Sequence, residues 1–143
     1  MKLLLIGFLL VLAATFFSSE ENYYLPYHED AVSPTAIQFV NFRHDIIKYL
    51  QNKNNHKDGL IEYENISNSN LYNNNIWNAR ILSDICYIWG ISDKKVYLNI
   101  FNLLSYSMSL GIAKDGKILI RDHTIPCPDF IPEGSLVSLI QLS

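Results

Sequence analysis

The chain has 143 residues, room for one domain and little for a second. Its formal net charge is −3 at pH 7 and it carries no basic cluster, so nothing in it marks a nucleic-acid binder. At 49% hydrophobic the composition is that of a globular protein, with part of the apolar content in the N-terminal run.

Met1–Ser19 reads as an export signal or a membrane anchor, outside the fold. Lys2 supplies a positive start, and Leu3 to Phe17 is apolar without a charge. As a helix this run would span about 22 Å, short of the roughly 30 Å of a hydrocarbon core. Length therefore leaves cleaved signal and retained anchor both open. Ala13 is an acceptable small residue for cleavage, although Phe16 and Phe17 follow it. No cysteine lies near, which excludes a lipoprotein anchor. Gly7-Phe8 is only superficially a prepilin cleavage point, because the fifth mature position, acidic in a pilin, would be Leu12. Residues 20–33 are polar and aromatic, broken by Pro26, and read as a linker.

Residues 34–143 are expected to form a single α+β domain, a long helix packed on a mainly antiparallel sheet. Pro34 to Gln51 is the longest amphipathic pattern. Ser33 suits the N-cap and Pro34 the first helical position. At helical spacing Phe39, Phe42, Ile46, Tyr49 and Leu50 share one face, while Gln38, Asn41, Asp45 and Lys48 share the other. Arg43 projects from the middle of the apolar arc. Asp58-Gly59 is a turn signal, Leu60–Tyr63 a short strand, and Ser67–Asn75 an Asn-rich loop. Arg80 to Trp89, rich in β-branched and aromatic residues on both alternating faces, reads as one central strand. Ser92-Asp93 caps a second helix from Lys94 to about Ser107. Leu110–Ala113 and Lys117–Arg121 flank Lys114-Asp115-Gly116 as the clearest hairpin. Thr124–Pro132 holds three prolines and is expected to be irregular; Ser135–Leu142 is a final strand.

A chemistry is not visible. His28, His44, His56 and His123 are dispersed, and neither cysteine stands at a metal-ligand spacing from them. His44 and Asp45 are helix neighbours and point apart. Ser135 follows Gly134 without a nucleophile-elbow pattern. Gly59, Gly90, Gly116 and Gly134 fit the ends of elements and do not suggest a phosphate cradle. No catalytic, cofactor-binding or metal residue is assigned, no small-molecule substrate is implied, and an enzyme is not expected. Asn65-Ile66-Ser67 matches the glycosylation triplet, which matters only in a eukaryotic secretory host.

Two features leave alternatives open. Cys86 and Cys127 could form one bridge in an oxidising compartment, closing a loop of about 40 residues for roughly 3–4 kcal/mol; otherwise Cys86 is a small buried apolar residue. Arg43 either faces a partner, or lays its stem over the core and pairs its guanidinium with an acid or with sheet-edge carbonyls.

The order of features is familiar. A helix containing Phe42-Arg43-His44-Asp45-Ile46-Ile47-Lys48-Tyr49 precedes Asp58-Gly59-Leu60-Ile61. Trp77-Asn78 leads into the apolar strand, Gly111-Ile112-Ala113-Lys114-Asp115-Gly116-Lys117 forms the hairpin, and Ile131-Pro132-Glu133-Gly134-Ser135-Leu136-Val137 opens the last strand. In this the chain resembles the small PilM family of conjugative type IVb (thin) pilus systems, distinct from the actin-like cytoplasmic protein of the same name. The resemblance implies a non-enzymatic component of the pilin-transport apparatus and pilus basal body. Its partners would be other pilus-assembly proteins, and residues 3–17 would meet the membrane if uncleaved. The domain would then face the periplasm, anchored in the inner membrane or free after cleavage. The alternative is an exported binding protein or minor pilin-like subunit. The family has no catalytic residues to carry over.

Overall fold

A computed structural model describes residues 31–66, 72, 76–105 and 107–143. The N-terminal run and most of the linker lie outside the described residues. Among those described, no helix is long and apolar enough to cross a membrane.

Helix α1 runs over Pro34–Leu50, with proline in its first turn as the sequence suggests. Ser33 caps it through its backbone carbonyl, which accepts from Ala36 N at 2.9 Å, and not through its side chain. The expected face is the buried one: Phe39, Phe42 and Ile46 are at most 1% exposed. Burying each such side chain contributes about 1.5–3 kcal/mol. Asp45, expected in water, is instead buried, and its carboxylate accepts a 2.5 Å bond from the Tyr72 hydroxyl.

Among the described residues seven strands make one antiparallel sheet: β1 Gly59–Leu60, β2 Asn78–Leu82, β3 Ile85–Gly90, β4 Leu110–Lys114, β5 Lys117–Ile120, β6 His123–Pro126 and β7 Leu136–Gln141. Their spatial order is β1-β2-β3-β7-β4-β5-β6, so the last strand of the chain is the central one. Helix α2, Lys94–Leu103, joins β3 to β4. It is capped by the Asp93 side chain, which accepts from Val96 N at 2.9 Å. α2 ends four residues before the expected Ser107.

The run Arg80–Trp89, expected as one strand, folds as the hairpin β2–β3. Ser83 and Asp84 both adopt positive φ, 50° and 63°, as a two-residue turn of the primed kind requires. Ser-Asp is a weak signal for such a turn, and apolar residues continue on both sides of it. The turn changes the phase. In a continuous strand Ile81 would share a face with Ile85; in the hairpin it pairs with Cys86, and Leu82 pairs with Ile85. The predicted β4–β5 hairpin forms as expected, with Asp115 at φ 52° and Gly116 at φ 70°. Thr124–Pro126, expected as irregular, belongs to edge strand β6, where prolines are tolerated. β1 is shorter than expected and gives way to a single 3-10 turn at Tyr63–Asn65.

The sheet has two apolar faces. On the helix side Ala79, Ile81, Cys86, Ile88, Leu110 and Leu136 meet Ala36, Phe39, Phe42, Ile46, Val96 and Ile100. Trp77 closes this core against Phe39, with ring centroids 4.7 Å apart and edge to face. A methyl built on Gly90 would stand 2.5 Å from Cε3 of Trp77, so only glycine allows the indole to lie this close to β3. On the other face Tyr87, Trp89, Ala113, Ile118, Ile120 and Val137 are covered by the segment between β6 and β7, through Ile131, Cys127 and Phe130.

Candidate functional site

The helices cover only part of their side of the sheet. In register, Gly90, Leu136, Ile112 and Leu119 form one row across that face. Leu136 is fully buried, whereas Leu119 on β5 is 40% exposed. The gap beside α2 is an open groove of about 610 Å³, lined among the described residues by Phe101, Ser105, Ser107, Leu110, Leu119 and Arg121. That volume is in the range of sites that hold a small molecule or a few partner side chains.

A polar chain runs inward from its wall. Ser107 Oγ and Ser109 Oγ are 2.9 Å apart. Arg43 Nη2 donates to Ser109 Oγ at 3.5 Å, and Arg43 Nε donates to Ser138 Oγ at 2.9 Å. Where the sequence leaves an acid or sheet-edge carbonyls open as partners, the described residues that meet the Arg43 guanidinium are hydroxyls from β7 and from the loop entering β4. Burial lowers its pKa from the ordinary arginine value, because the charged form is partly stripped of water. Ser138 sits in the row Ala79, Ile88, Ser138, Leu110 directly beneath α1. A hydroxyl there is what lets an arginine occupy the apolar arc of the helix. The sequence shows the odd arginine but gives no sign of its serine partners, which lie 66 and 95 residues away.

The cysteines do not bridge. Both are free thiols. Cys86 points into the helix-side core and Cys127 packs on the opposite face, so the sheet itself separates them. Burial pushes the Cys86 thiol up to about 12. Cys127 is also raised, first by burial and then by the charges of Glu133 and Asp129. Raised values leave little thiolate at neutral pH, so neither is prepared as a nucleophile.

The other candidates for chemistry stay apart. His44 is exposed on α1, His56 Nε2 lies 2.7 Å from the Leu50 carbonyl, and His123 opens the edge strand β6. His28 is outside the described residues. Ser135 Oγ is buried and makes no hydrogen bond among the described residues. Among the described residues no group of three or more His, Cys, Asp or Glu could hold a metal ion. In the groove, Ser105 and Ser107 have no histidine or carboxylate hydrogen-bonded to them among the described residues. The groove can receive apolar groups and offer hydroxyls and a cation at its rim; its described lining holds no acid–base pair.

A family model named PilM matches residues 6–139. The chain belongs to the PilM family. The match spans nearly the whole sequence, including helix, hairpin and final strand, the features that carry the resemblance. The crystal structure of a PilM protein from Escherichia coli B7A superposes with a TM-score of 0.60 at 17% identity, covering 73% of this chain and 87% of that one. At that identity the likeness speaks for the fold. No curated protein matches the chain. Membership makes this a pilus-related protein.

Proposed function

We propose that this PilM-family protein is a non-enzymatic component of a type IVb pilus assembly apparatus, working in the basal body or in pilin transport, and used in conjugation. The match to the family over residues 6–139 carries the reading. The site chemistry agrees with a protein that works by contact. Its described histidines are dispersed, both thiols have raised pKa values, and the groove beside α2 is lined by apolar groups, serines and Arg121. A catalyst of this size needs a positioned nucleophile or base with an orienting partner.

The apolar run Leu3–Phe17 fits an exported domain on the periplasmic side, anchored in the inner membrane or released by cleavage. Deleting the gene in its natural host should abolish pilus-dependent mating. Restoring the domain behind an unrelated cleavable signal, in place of Met1–Ser19, separates the two arrangements. Full rescue argues that the run serves export alone. No rescue by a stable, exported domain argues for an anchor. Unchanged mating in the deletion strain would contradict the function. The groove beside α2 favours a second reading, an exported binding protein or minor pilin-like subunit that takes an apolar group there; saturable binding of a small apolar ligand by the purified domain would support it.

A further inference from the structure

The face of the sheet away from the helices carries an arginine with no acid paired to it among the described residues. Register places Leu60, Arg80, Tyr87 and Leu139 in one row across β1, β2, β3 and β7, with Leu82 and Ile85 paired in the next row of the same face. The Arg80 guanidinium carbon lies 4.8 Å from the centroid of Phe130. Phe130 is itself held edge-on by Tyr87 and tilted against Trp89, at centroid distances of 5.8 and 5.1 Å. Arg80 Nε is buried and makes no hydrogen bond, and no carboxylate pairs with the guanidinium among the described residues. Around it the apolar surface is open: Leu60 is 52% and Leu82 37% exposed.

We infer that this face is a docking surface for a partner protein segment that presents a carboxylate between apolar side chains. The aromatic stack fixes the plane of the guanidinium in advance, so little freedom is lost when its fork donates two parallel bonds to a carboxylate. Leu60 and Leu82 flank the cation and exclude water from that pair, the arrangement in which an arginine becomes a binding hot spot. The chemistry selects among occupants. A second copy docking through the same patch would bring Arg80 against Arg80. An anionic membrane surface calls for a cluster of cations, and this patch centres on one. β1 has two residues, so backbone pairing at the edge adds little, and side chains carry the contact. Placing the partner among pilus proteins rests on the function proposed above; the surface itself does not.

The test uses the full chain in its natural host with photoreactive p-benzoylphenylalanine at Leu82, and sequences the peptide it captures. The expected adduct is a segment of another protein with Asp or Glu among apolar residues. Arg80→Glu should lower the cross-linking yield at least about tenfold, the effect of losing a hot spot. Arg80→Lys, which keeps the charge without the fork, should fall between. Changing the captured acid to Arg should restore the yield in Arg80→Glu. Because Arg80→Glu removes the contact with Phe130, Leu60→Asp serves beside it: it sets a carboxylate of the chain's own opposite Arg80 and leaves the stack in place. It should cause the same loss with an unchanged melting temperature. A yield unaffected in Leu60→Asp, a captured segment without an acid, capture of a second copy or of lipid, or no adduct from folded protein would each overturn the proposal. An acid-bearing partner outside any pilus machine would uphold the surface and contradict the function.

Discussion

Arg43 Nε donates to Ser138 Oγ across 2.9 Å, joining the long helix to the central strand through a hydrogen bond inside an otherwise apolar interface. A bond to a charged donor contributes about 1.5–3 kcal/mol, and removing the hydroxyl leaves a partly buried cation short of a partner. Ser138→Ala should therefore destabilise by about that amount in urea unfolding. Arg43→Met should cost less, below about 1.5 kcal/mol, because it keeps the stem that covers the core and removes the cation as well. The double variant should be close to Arg43→Met alone. Additive losses would mean the two side chains do not act as a pair.

Phe42 lies at the centre of the helix-side core, against Tyr63 and Tyr72 at centroid distances of 5.6 and 5.1 Å. Phe42→Ala should cost about 3–5 kcal/mol in denaturant unfolding. A loss under about 1 kcal/mol would contradict the packing described.

Gly111 faces the second core between Val137 and Ile120. A methyl there would meet the Leu119 carbonyl oxygen at 2.7 Å and Ile118 Cγ2 at 2.8 Å. Gly111→Ala should destabilise by about 1–3 kcal/mol, the cost of overpacking, while Gly116→Ala should lose stability through its positive φ of 70° with open space around it. Thermal melts of the two variants, with crystal structures, distinguish displacement of strand β5 from strain confined to the turn.

The thiols give a redox and a pH prediction. Protein made in an oxidising compartment should titrate with two free thiols after unfolding, and reductant should leave its gel mobility and melting temperature unchanged. Cys127 should label before Cys86, which should react only as the protein opens. The folded state holds the Cys86 proton more tightly than the unfolded state, with its pKa raised from 9.0 to about 12. Its contribution is then complete below pH 9 and is lost as pH rises from 9 towards 12, at up to about 1.4 kcal/mol per pH unit. Tyr72, raised by burial first and then by its bond to Asp45 and that carboxylate's charge, adds a loss of the same sign above pH 10. Cys86→Ala should flatten the earlier part of the decline. Stability that increased between pH 9 and 11 would contradict both assignments.

Much of the fold was legible because it rests on local signals. Helical spacing in Pro34–Gln51 identified Phe39, Phe42 and Ile46 as core, and Asp115-Gly116 announced its hairpin. The β2–β3 turn was hidden because Ser83-Asp84 adopts left-handed backbone that neither residue advertises. Asp45 looked solvated because its partner, Tyr72, lies in an Asn-rich stretch that reads as loop. The sites were less legible than the fold for a related reason. Arg43 stood out as an anomaly, but its hydroxyl partners come from distant β elements. Arg80 looked like the start of a strand; its meaning depends on Phe130, fifty residues on, folding back over the opposite face.

The central claim is that this PilM-family domain serves pilus assembly through contact. The most direct measurement is the number of pili per cell, by electron microscopy, in a host carrying a deletion of the gene and then the gene restored. The account predicts no pili in the deletion strain and wild-type numbers on restoration. Normal pili in the deletion strain would contradict it.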